Sequence, residues 1–444
     1  MNKQRQAKPL AAPASPGKVR LVSSLFMGLG EIVYLGNYVK GIFYALIELV
    51  ALVNIPWFIN KIIGLITLGT PNPGVPVTER DHSIFMMVDG ILALTLLAMV
   101  IIFYVVSVEG TVRDYKIYLR SGREVLKANQ KSNLIESGFF ALAMSPTMIL
   151  LMVFVIAPLI FSALVAFTDY SSPDHLPPAN TVNWVGFQNF ENLFGRDESF
   201  ATALASVSTW TVIWGVLATF TTYVGGLILA ELVTAKGIRF TPFFRTIFIL
   251  PYAVPAMISM LVWRQMFNGS FGIINRTLIA LGLIEQNIPW LSDVNLAKFV
   301  CILVNFWAGF SYFMLLALGT KASISPNIYE AANIDGCSRI QVFTKVTCPL
   351  VIRQNAPLII MGLCHNLNNF GALFFLTGGN PAVSFSTATS AKGTDIIVTW
   401  IYNMTINLLK YNYASALAVI VFIVLVPFAI FSFVNTKSFK EGEL

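Results

Sequence analysis

Two apolar stretches of the chain each carry a line of polar and small side chains at helical spacing. The first polar line follows an i, i+4, i+7 pattern and the second an i, i+3, i+4, i+7 pattern, their members being Asn305, Gly309 and Tyr312, and Gly362, His365, Asn366 and Asn369. An amide donates and accepts hydrogen bonds without carrying charge, which suits the hydroxyl groups of a sugar. The alternative is helix packing through small residues, with asparagine bonding one helix to the next. Both interpretations stay open on spacing alone.

Between the two lines lies a polar segment, Tyr329 to Pro349, with the sequence YEAANIDGCSRIQVFTKVTCP. Pro326 can begin a helix that places Glu330 in its first turn, and Gly336 can close that helix. A second helical stretch follows and is expected to end at Pro349. Since the chain has few charges and gathers several here, the segment is either a docking surface facing water or an ordinary loop between membrane helices.

The rest of the chain is strongly apolar. Of its 444 residues 56% are hydrophobic and 11% are charged, and the mean hydropathy is +0.71. This composition predicts an all-α polytopic membrane protein, in which each span needs about 20 apolar residues. The eight candidate spans are residues 41–60, 84–107, 143–166, 207–232, 244–266, 299–319, 354–377 and 413–434. The sixth and seventh spans, which flank the polar segment, must therefore position both polar lines.

The distribution of lysine and arginine predicts the orientation of these spans. With the N-terminus inside, most basic residues fall in the inner segments, which places both termini and the polar segment in the cytoplasm. The net charge of +7 follows from this bias, so no nucleic-acid partner is needed to explain it. The four cysteines fall in membrane or cytoplasmic segments, and free thiols are expected.

Four further residues stand out inside the predicted spans. Pro251 and Pro255 each remove a backbone hydrogen bond, so the fifth span is expected to be kinked or broken. Broken helices often line a transport path, but kinks are also common in structural membrane helices. Glu48 and Asp89 are ionisable groups at membrane depth, which indicates a functional site, an internal pair or snorkelling near an interface.

The polar segment resembles the EAA loop of permease subunits in binding-protein-dependent ABC importers, and it is called the EAA-like segment below. The residues that carry the resemblance are Glu330, Ala331, Ala332, Asp335, Gly336 and Pro349. Val346 and Cys348 replace the usual isoleucine and leucine but remain apolar. The resemblance implies a MetI-like, type I permease core and a segment that couples the membrane helices to an ATPase.

Four other stretches, LPYAVP, FNGSFGIIN, WAGFSY and NLNNF, resemble the MalF-type subunits of maltose and maltodextrin importers, and the match covers residues 140–440. The resemblance implies a sugar site formed by Asn305, Ala308, Gly309, Tyr312, Gly362, His365, Asn366 and Asn369. His365 stands where the maltose-importer relatives have phenylalanine, which leaves the identity of the sugar open. The outer loop at residues 167–206 lacks the large domain inserted in some relatives.

The predicted spans, the charge bias and the resemblance together predict an organisation in four parts. These are a cytoplasmic and interfacial segment (1–40), two spans with a cytoplasmic connector (41–140), the permease domain with its EAA-like segment at 329–349 (141–435), and a cytoplasmic tail (436–444).

The chain lacks the sequence patterns of common catalytic sites. It has no Walker A, HExxH, nucleophile-elbow or CxxC motif, so no catalytic residue, metal site or cofactor is expected. The resemblance implies a permease subunit in a bacterial plasma membrane that moves maltodextrin-like oligosaccharides without an ATPase site of its own. Its implied partners are a second permease subunit of the MalG type, a dimer of ABC ATPases of the MalK or MsmX type, an external sugar-binding protein and membrane lipid.

Three alternatives to a maltodextrin permease remain. One is a permease for another oligosaccharide, such as a galacto-oligosaccharide or a cyclodextrin. The others are an ion-coupled sugar transporter and a membrane enzyme acting on glycans. Either of these two would require carboxylates or a metal set at the centre of the membrane, and the polar lines contain no carboxylate.

Overall fold

The computed structural model describes residues 14–133, 139–235 and 240–434. Within these ranges the chain is helical and contains no β-strand, which confirms the predicted all-α fold. The predicted cytoplasmic tail and residues 1–13 of the N-terminal segment lie outside them. The helices are α1 Pro16–Leu25, α2 Tyr38–Val53, α3 Ile55–Thr67, α4 Ser83–Asn133, α5 Phe139–Leu151, α6 Ala157–Val165, α7 Gln188–Glu191, α8 Glu198–Thr234, α9 Thr241–Ala253, α10 Ala256–Met266, α11 Ile273–Ala280, α12 Val294–Ser323, α13 Pro326–Ile334, α14 Arg339–Val342, α15 Cys348–Leu367, α16 Phe370–Thr377, α17 Ser386–Thr389, α18 Ile397–Asn403 and α19 Tyr411–Val434.

The helices account for the predicted membrane spans. In the described ranges, six helical stretches are long and apolar enough to cross a membrane, and the number rises to eight if each of two bent pairs is one span. The bent pairs are α2 with α3, and α9 with α10. The eight predicted spans therefore each have a helical counterpart.

The two bent pairs differ in the residues at which the bend occurs. As predicted, the fifth span is broken at its prolines, with Pro251 inside α9, Pro255 at the start of α10 and an angle of 93° between the helices. The first span is not the single helix expected over residues 41–60, because α2 and α3 meet at Asn54 with a bend of 49°. Pro56 is the second residue of α3, where a missing N–H costs little because the first N–H groups of a helix have no internal partner.

The chain forms two compact units. The first consists of Met1–Leu164 and Pro173–Trp184, and the second of Val165–Ser172 and Val185–Leu444. The second unit therefore contains both polar lines and the EAA-like segment. The domain boundary at residue 140 remains a prediction from the sequence.

The two acids at membrane depth in the first unit have separate partners. Asp89 forms an ion pair with Lys61, with 2.6 Å between Oδ2 and Nζ. The Glu48 carboxylate accepts a hydrogen bond from the backbone N–H of Met27. These contacts support a structural role for both acids, one of the possibilities left open by the sequence.

Close packing of α8 against α12 forms the core of the second unit. A Cβ atom on Gly226 of α8 would lie 2.6 Å from the backbone nitrogen of Met314, and one on Gly309 of α12 would lie 2.7 Å from the Thr222 methyl group. Real Cβ atoms do not approach so closely, so only glycine permits this helix separation. The first polar line thus lies on α12, and the position of α12 against α8 depends on Gly309, a member of that line.

Candidate functional site

The members of the first polar line, on α12, differ in their surroundings. Gly309 packs on Thr222, Ala308 is half-buried and Tyr312 is 41% exposed. Asn305 is buried, and among the described residues its side-chain amide has no hydrogen-bond partner. Around the helix, Asn305 lies between Gly309 and Tyr312. An unbonded amide therefore lies where the packed interior meets an open surface.

The second polar line is not the single helical stripe that the sequence predicted. α15 ends at Leu367, and Asn369 caps α16, its side chain accepting a hydrogen bond from the N–H of Ala372 at 3.2 Å. Asparagine bonds to nearby backbone and so favours caps over helix interiors. The predicted seventh span, residues 354–377, is consequently two helices, and Asn369 lies beyond the end of the helix that carries His365.

His365 and Asn366 are adjacent but have different environments. Asn366 is buried, and its Nδ2 donates to Thr219 Oγ1 of α8 at 2.9 Å. Its backbone carbonyl accepts a hydrogen bond from Trp214 Nε1, also at 2.9 Å. Asn366 thus joins α15 to α8, in agreement with the interhelical alternative. The His365 side chain is exposed and makes no hydrogen bond in the described part of the chain.

The ring of Phe313 connects the two polar lines. A Cβ atom on Gly362 of α15 would lie 3.0 Å from this ring, so the glycine leaves room for it. The Tyr312 and Phe313 rings meet edge to face, with 5.1 Å between their centroids. Tyr312 and Gly362 are therefore brought to the same place from different helices.

Tyr252 was not among the residues selected from the sequence. It lies at the break between α9 and α10, is 57% exposed, and its ring centroid is 6.2 Å from that of Tyr312. Two exposed tyrosines side by side within apolar helices offer aromatic faces and hydroxyl groups to one ligand. The sequence signal for Tyr252 was an aromatic residue directly after Pro251, since a broken helix exposes the residues at its break.

The start of the EAA-like segment adopts the expected helix and turn. α13 begins after Ser325, so Glu330 lies in its second turn. The sequence had predicted the first turn. Gly336 has φ of 74°, and the N–H groups of Gly336 and Cys337 donate back to the last turn of α13 at 3.1 and 3.0 Å. This is the Schellman closure, which needs a left-handed residue at the glycine position.

The second helix of the EAA-like segment does not end at Pro349. α14 leads through a π-helical turn, Phe343–Thr347, into α15, and Pro349 is the second residue of α15. The π-helical turn changes the backbone bonding pattern just before Pro349, so the helix continues although proline has no N–H to donate. The segment is thus continuous with the seventh span, in one helical stretch from Arg339 to Leu367.

The EAA-like segment carries exposed apolar side chains. Ile334 is 86% exposed and Ile340 is 75% exposed, whereas Ala332 is buried against the rest of the unit. The other residues of the EAA-like pattern, Glu330, Ala331, Asp335, Gly336 and Pro349, are exposed. Exposed isoleucines among charged residues indicate a surface that a protein partner covers.

Comparison with known proteins agrees with this architecture. Residues 222–437 match the family described as binding-protein-dependent transport system inner membrane component. The crystal structure of a bacterial ABC transporter involved in the import of the acidic polysaccharide alginate has the same fold, with a TM-score of 0.56 at 22% identity over 68% of this chain and 96% of that chain.

Three relatives are named as permease proteins of sugar transport systems. The chain is 36% identical over 430 residues to the galactooligosaccharides transport system permease protein GanP of Bacillus subtilis, covering 96% of this chain and 99% of GanP. It is 32% identical over 439 residues to the maltodextrin transport system permease protein MalC of Streptococcus pneumoniae, covering 97% and 98%. The maltose/maltodextrin permease protein MalF of Vibrio cholerae is 36% identical over 256 residues, covering 57% and 48%. The match with two permeases over nearly their full length confirms the resemblance of the EAA-like segment, and the chain belongs to the inner membrane components of binding-protein-dependent transport systems.

Proposed function

We propose that this chain is the permease subunit of an ATP-driven importer that moves maltodextrin-like oligosaccharides delivered by an external binding protein. The observation that carries the proposal is that α12 carries the first polar line and α15 carries Gly362, His365 and Asn366 of the second, since the EAA-like segment joins these two helices. α12 is separated from α13 only by Ile324 and Ser325, and α14 continues into α15. A displacement of the segment therefore moves the polar side chains directly.

The side chains of the two polar lines, together with Tyr252, favour a neutral sugar as the substrate. Asn305 offers an unbonded amide, Tyr252 and Tyr312 offer phenol groups, and His365 offers an imidazole. Neither polar line has a carboxylate or ammonium group that would recognise a charged polymer. The relatives GanP and MalC, whose names specify galactooligosaccharides and maltodextrin, support a neutral oligosaccharide.

A galacto-oligosaccharide is the second candidate substrate. His365, in place of the phenylalanine of maltose-importer relatives, puts hydrogen-bonding nitrogens where those relatives have an apolar ring. GanP also aligns with the chain over 99% of its own length. Both observations leave the proposed transport mechanism unchanged and bear only on the identity of the transported sugar.

The exposed surfaces of the chain support its assembly with the partners of an importer. Ile334 and Ile340 would be covered by the ABC ATPases, here of the MalK or MsmX type, on the cytoplasmic side. Tyr312 and His365 are exposed within the membrane-spanning part, where a second permease subunit of the MalG type would enclose them. With this arrangement both termini are cytoplasmic and the complex resides in a bacterial plasma membrane.

Reconstitution tests the function. The complex of this chain with a second permease subunit and the ATPase, in proteoliposomes with the binding protein outside, should accumulate labelled maltotriose only when ATP is enclosed on the ATPase side. A galacto-oligosaccharide of equal length, offered in competition, distinguishes the two substrates. Uptake by this chain alone, driven by an ion gradient without ATPase, would contradict the proposal.

A further inference from the structure

The last turn of α12, directly before α13, is bonded to two other helices. Lys321 Nζ lies 2.5 Å from Glu231 Oε2 and 2.7 Å from Thr234 Oγ1, both on α8. Thr320 Oγ1 donates to Asn355 Oδ1 of α15 at 2.8 Å. Consecutive residues of one turn thus join α12 to both of its neighbours, immediately next to the EAA-like segment.

Apolar packing joins the same helices to α13. Ile324, which follows α12, is buried in one cluster with Leu227 of α8 and Val351 of α15, and Tyr329 of α13 packs against that cluster. Packed interiors have few voids and transmit displacement. A shift of α13 is therefore passed to all three helices together.

Two polar atoms in this region are buried without a partner. Among the described residues, neither the Tyr223 hydroxyl nor the Asn355 Nδ2 has a hydrogen bond, although the Asn355 amide lies near that hydroxyl. Both residues are almost fully buried. A buried donor without a partner is unfavourable, and phenylalanine or leucine would fill either place without that cost. Because the two groups are close to each other without the geometry of a hydrogen bond, a small relative shift of α8 and α15 is enough to pair them.

We infer that Tyr223, Glu231, Thr320, Lys321 and Asn355 form a latch that positions the EAA-like segment and changes its bonding during transport. In the conformation described here, Lys321 bonds to Glu231 and the Asn355 oxygen bonds to Thr320. In the second conformation, the Asn355 nitrogen donates to the Tyr223 hydroxyl. These are positioning residues, since they lie behind the segment and act through it. The inference rests on the proposed ATP-driven import and specifies how the segment moves the spans.

The substitution Tyr223→Phe tests the second conformation. It removes a hydroxyl that is unpaired here, so the purified complex should keep or raise its melting temperature. Uptake and ATP hydrolysis stimulated by the binding protein should both fall about tenfold, because the other conformation loses a bond. Tyr413→Phe is the matched control, since the Tyr413 hydroxyl is already bonded by Asn192 Nδ2 at 2.8 Å. The control should lower the melting temperature and leave stimulated hydrolysis unchanged. A Tyr223→Phe complex with the parent's uptake would overturn the switch of partners.

Exchange of charges tests the ion pair. Lys321→Glu should increase the ATP hydrolysed per sugar moved, and Glu231→Lys combined with Lys321→Glu should restore most of the parent's ratio. The same exchange at Lys61 and Asp89, which also form a pair at 2.6 Å, is the control and should leave the ratio unchanged. If the single variant keeps the parent's ratio, or the double variant recovers nothing, the latch is wrong. Parent uptake that needs no ATP would instead refute the proposed function.

Discussion

The EAA-like segment joins α12 to α15, which carry all members of the two polar lines except Asn369, yet the conformations of the segment and of the lines depend on contacts of different range. In the segment, Gly336 closes α13 through bonds to the preceding turn, and Ser338 begins α14 with a capping box to Gln341. In the polar lines, Asn366 bonds to Thr219 and Gly309 packs on Thr222, both far away in the sequence. A short pattern is therefore enough to identify the EAA-like segment, whereas helical spacing cannot tell which asparagine is open to a ligand and which holds two helices together.

The largest effect is expected at the locally determined segment, from Gly336→Val. A β-branched residue is strained at φ of 74°, by about 1–2 kcal/mol, although a Cβ atom would meet nothing within 4 Å. Uptake and stimulated ATP hydrolysis should both be abolished while the subunit still assembles, as judged by co-purification. Gly282→Val, at φ of 67° and also in open space, is the control and should keep uptake. Equal loss in both variants would show that strain alone, and not the segment, is responsible.

The next largest effects are expected at the two buried asparagines of the polar lines, and they differ in kind. Asn305→Ala should lower oligosaccharide uptake about tenfold to a hundredfold, because an amide without an internal partner is free to bond the sugar, a contribution of about 1–3 kcal/mol. Asn366→Ala should instead lower the melting temperature, since it removes a bond between α15 and α8 worth about 1 kcal/mol. Labelled uptake and thermal unfolding of both variants provide the comparison. The reverse pattern would make Asn366 the sugar ligand and Asn305 a packing residue.

A pH dependence is expected in the loop before α18, where a carboxyl group is buried. Asp395 accepts hydrogen bonds from Thr399 Oγ1, the Lys392 N–H and Asn403 Nδ2, and burial raises its pKa from 3.8 to about 6. A raised folded-state pKa means that this contribution to stability is complete below about pH 4 and is lost as the pH rises through about 6, with a total of about 3 kcal/mol.

The substitution Asp395→Asn isolates this titration. The amide can donate to Thr399, whose hydroxyl also reaches the Ile396 carbonyl at 3.0 Å. The melting temperature of the parent should therefore fall, relative to that of the variant, between pH 4 and about pH 6.5. A difference that stays constant over this range would contradict the burial of an ionising carboxyl group.

The smallest effect is expected from His365→Phe, at an exposed member of the second polar line. The substitution removes two ring nitrogens without disturbing a hydrogen bond within the described residues. The ratio of maltotriose to galacto-oligosaccharide uptake should rise severalfold, while total uptake changes less. Competition between the two labelled sugars measures this ratio. An unchanged ratio would place specificity elsewhere, with Tyr252 the next residue to test.

Much of the fold followed from composition and local chemistry. Apolar runs of sufficient length predicted eight spans, and Pro251 with Pro255 predicted the break in the fifth. Pro326 and Gly336 bound α13 because a proline at the first position and a left-handed residue after the last turn each depend on only a few neighbouring residues. The errors within this region were small, since Glu330 lies one turn later and Pro349 continues a helix after a π turn.

The roles of individual polar side chains were decided only by tertiary structure. A 3.6-residue period placed Asn369 on a face with His365, but the cap that Asn369 forms for α16 ended the helix before it. The period also could not indicate that Asn366 has Thr219 as a partner while Asn305 has none in the described chain. Sequence alone determined that uncharged polar groups flank the EAA-like segment in apolar helices, because composition and local backbone preferences suffice for that. Which groups stay free for a ligand depends on the partners that other helices bring within hydrogen-bond distance, and that pairing is a property of the packed structure.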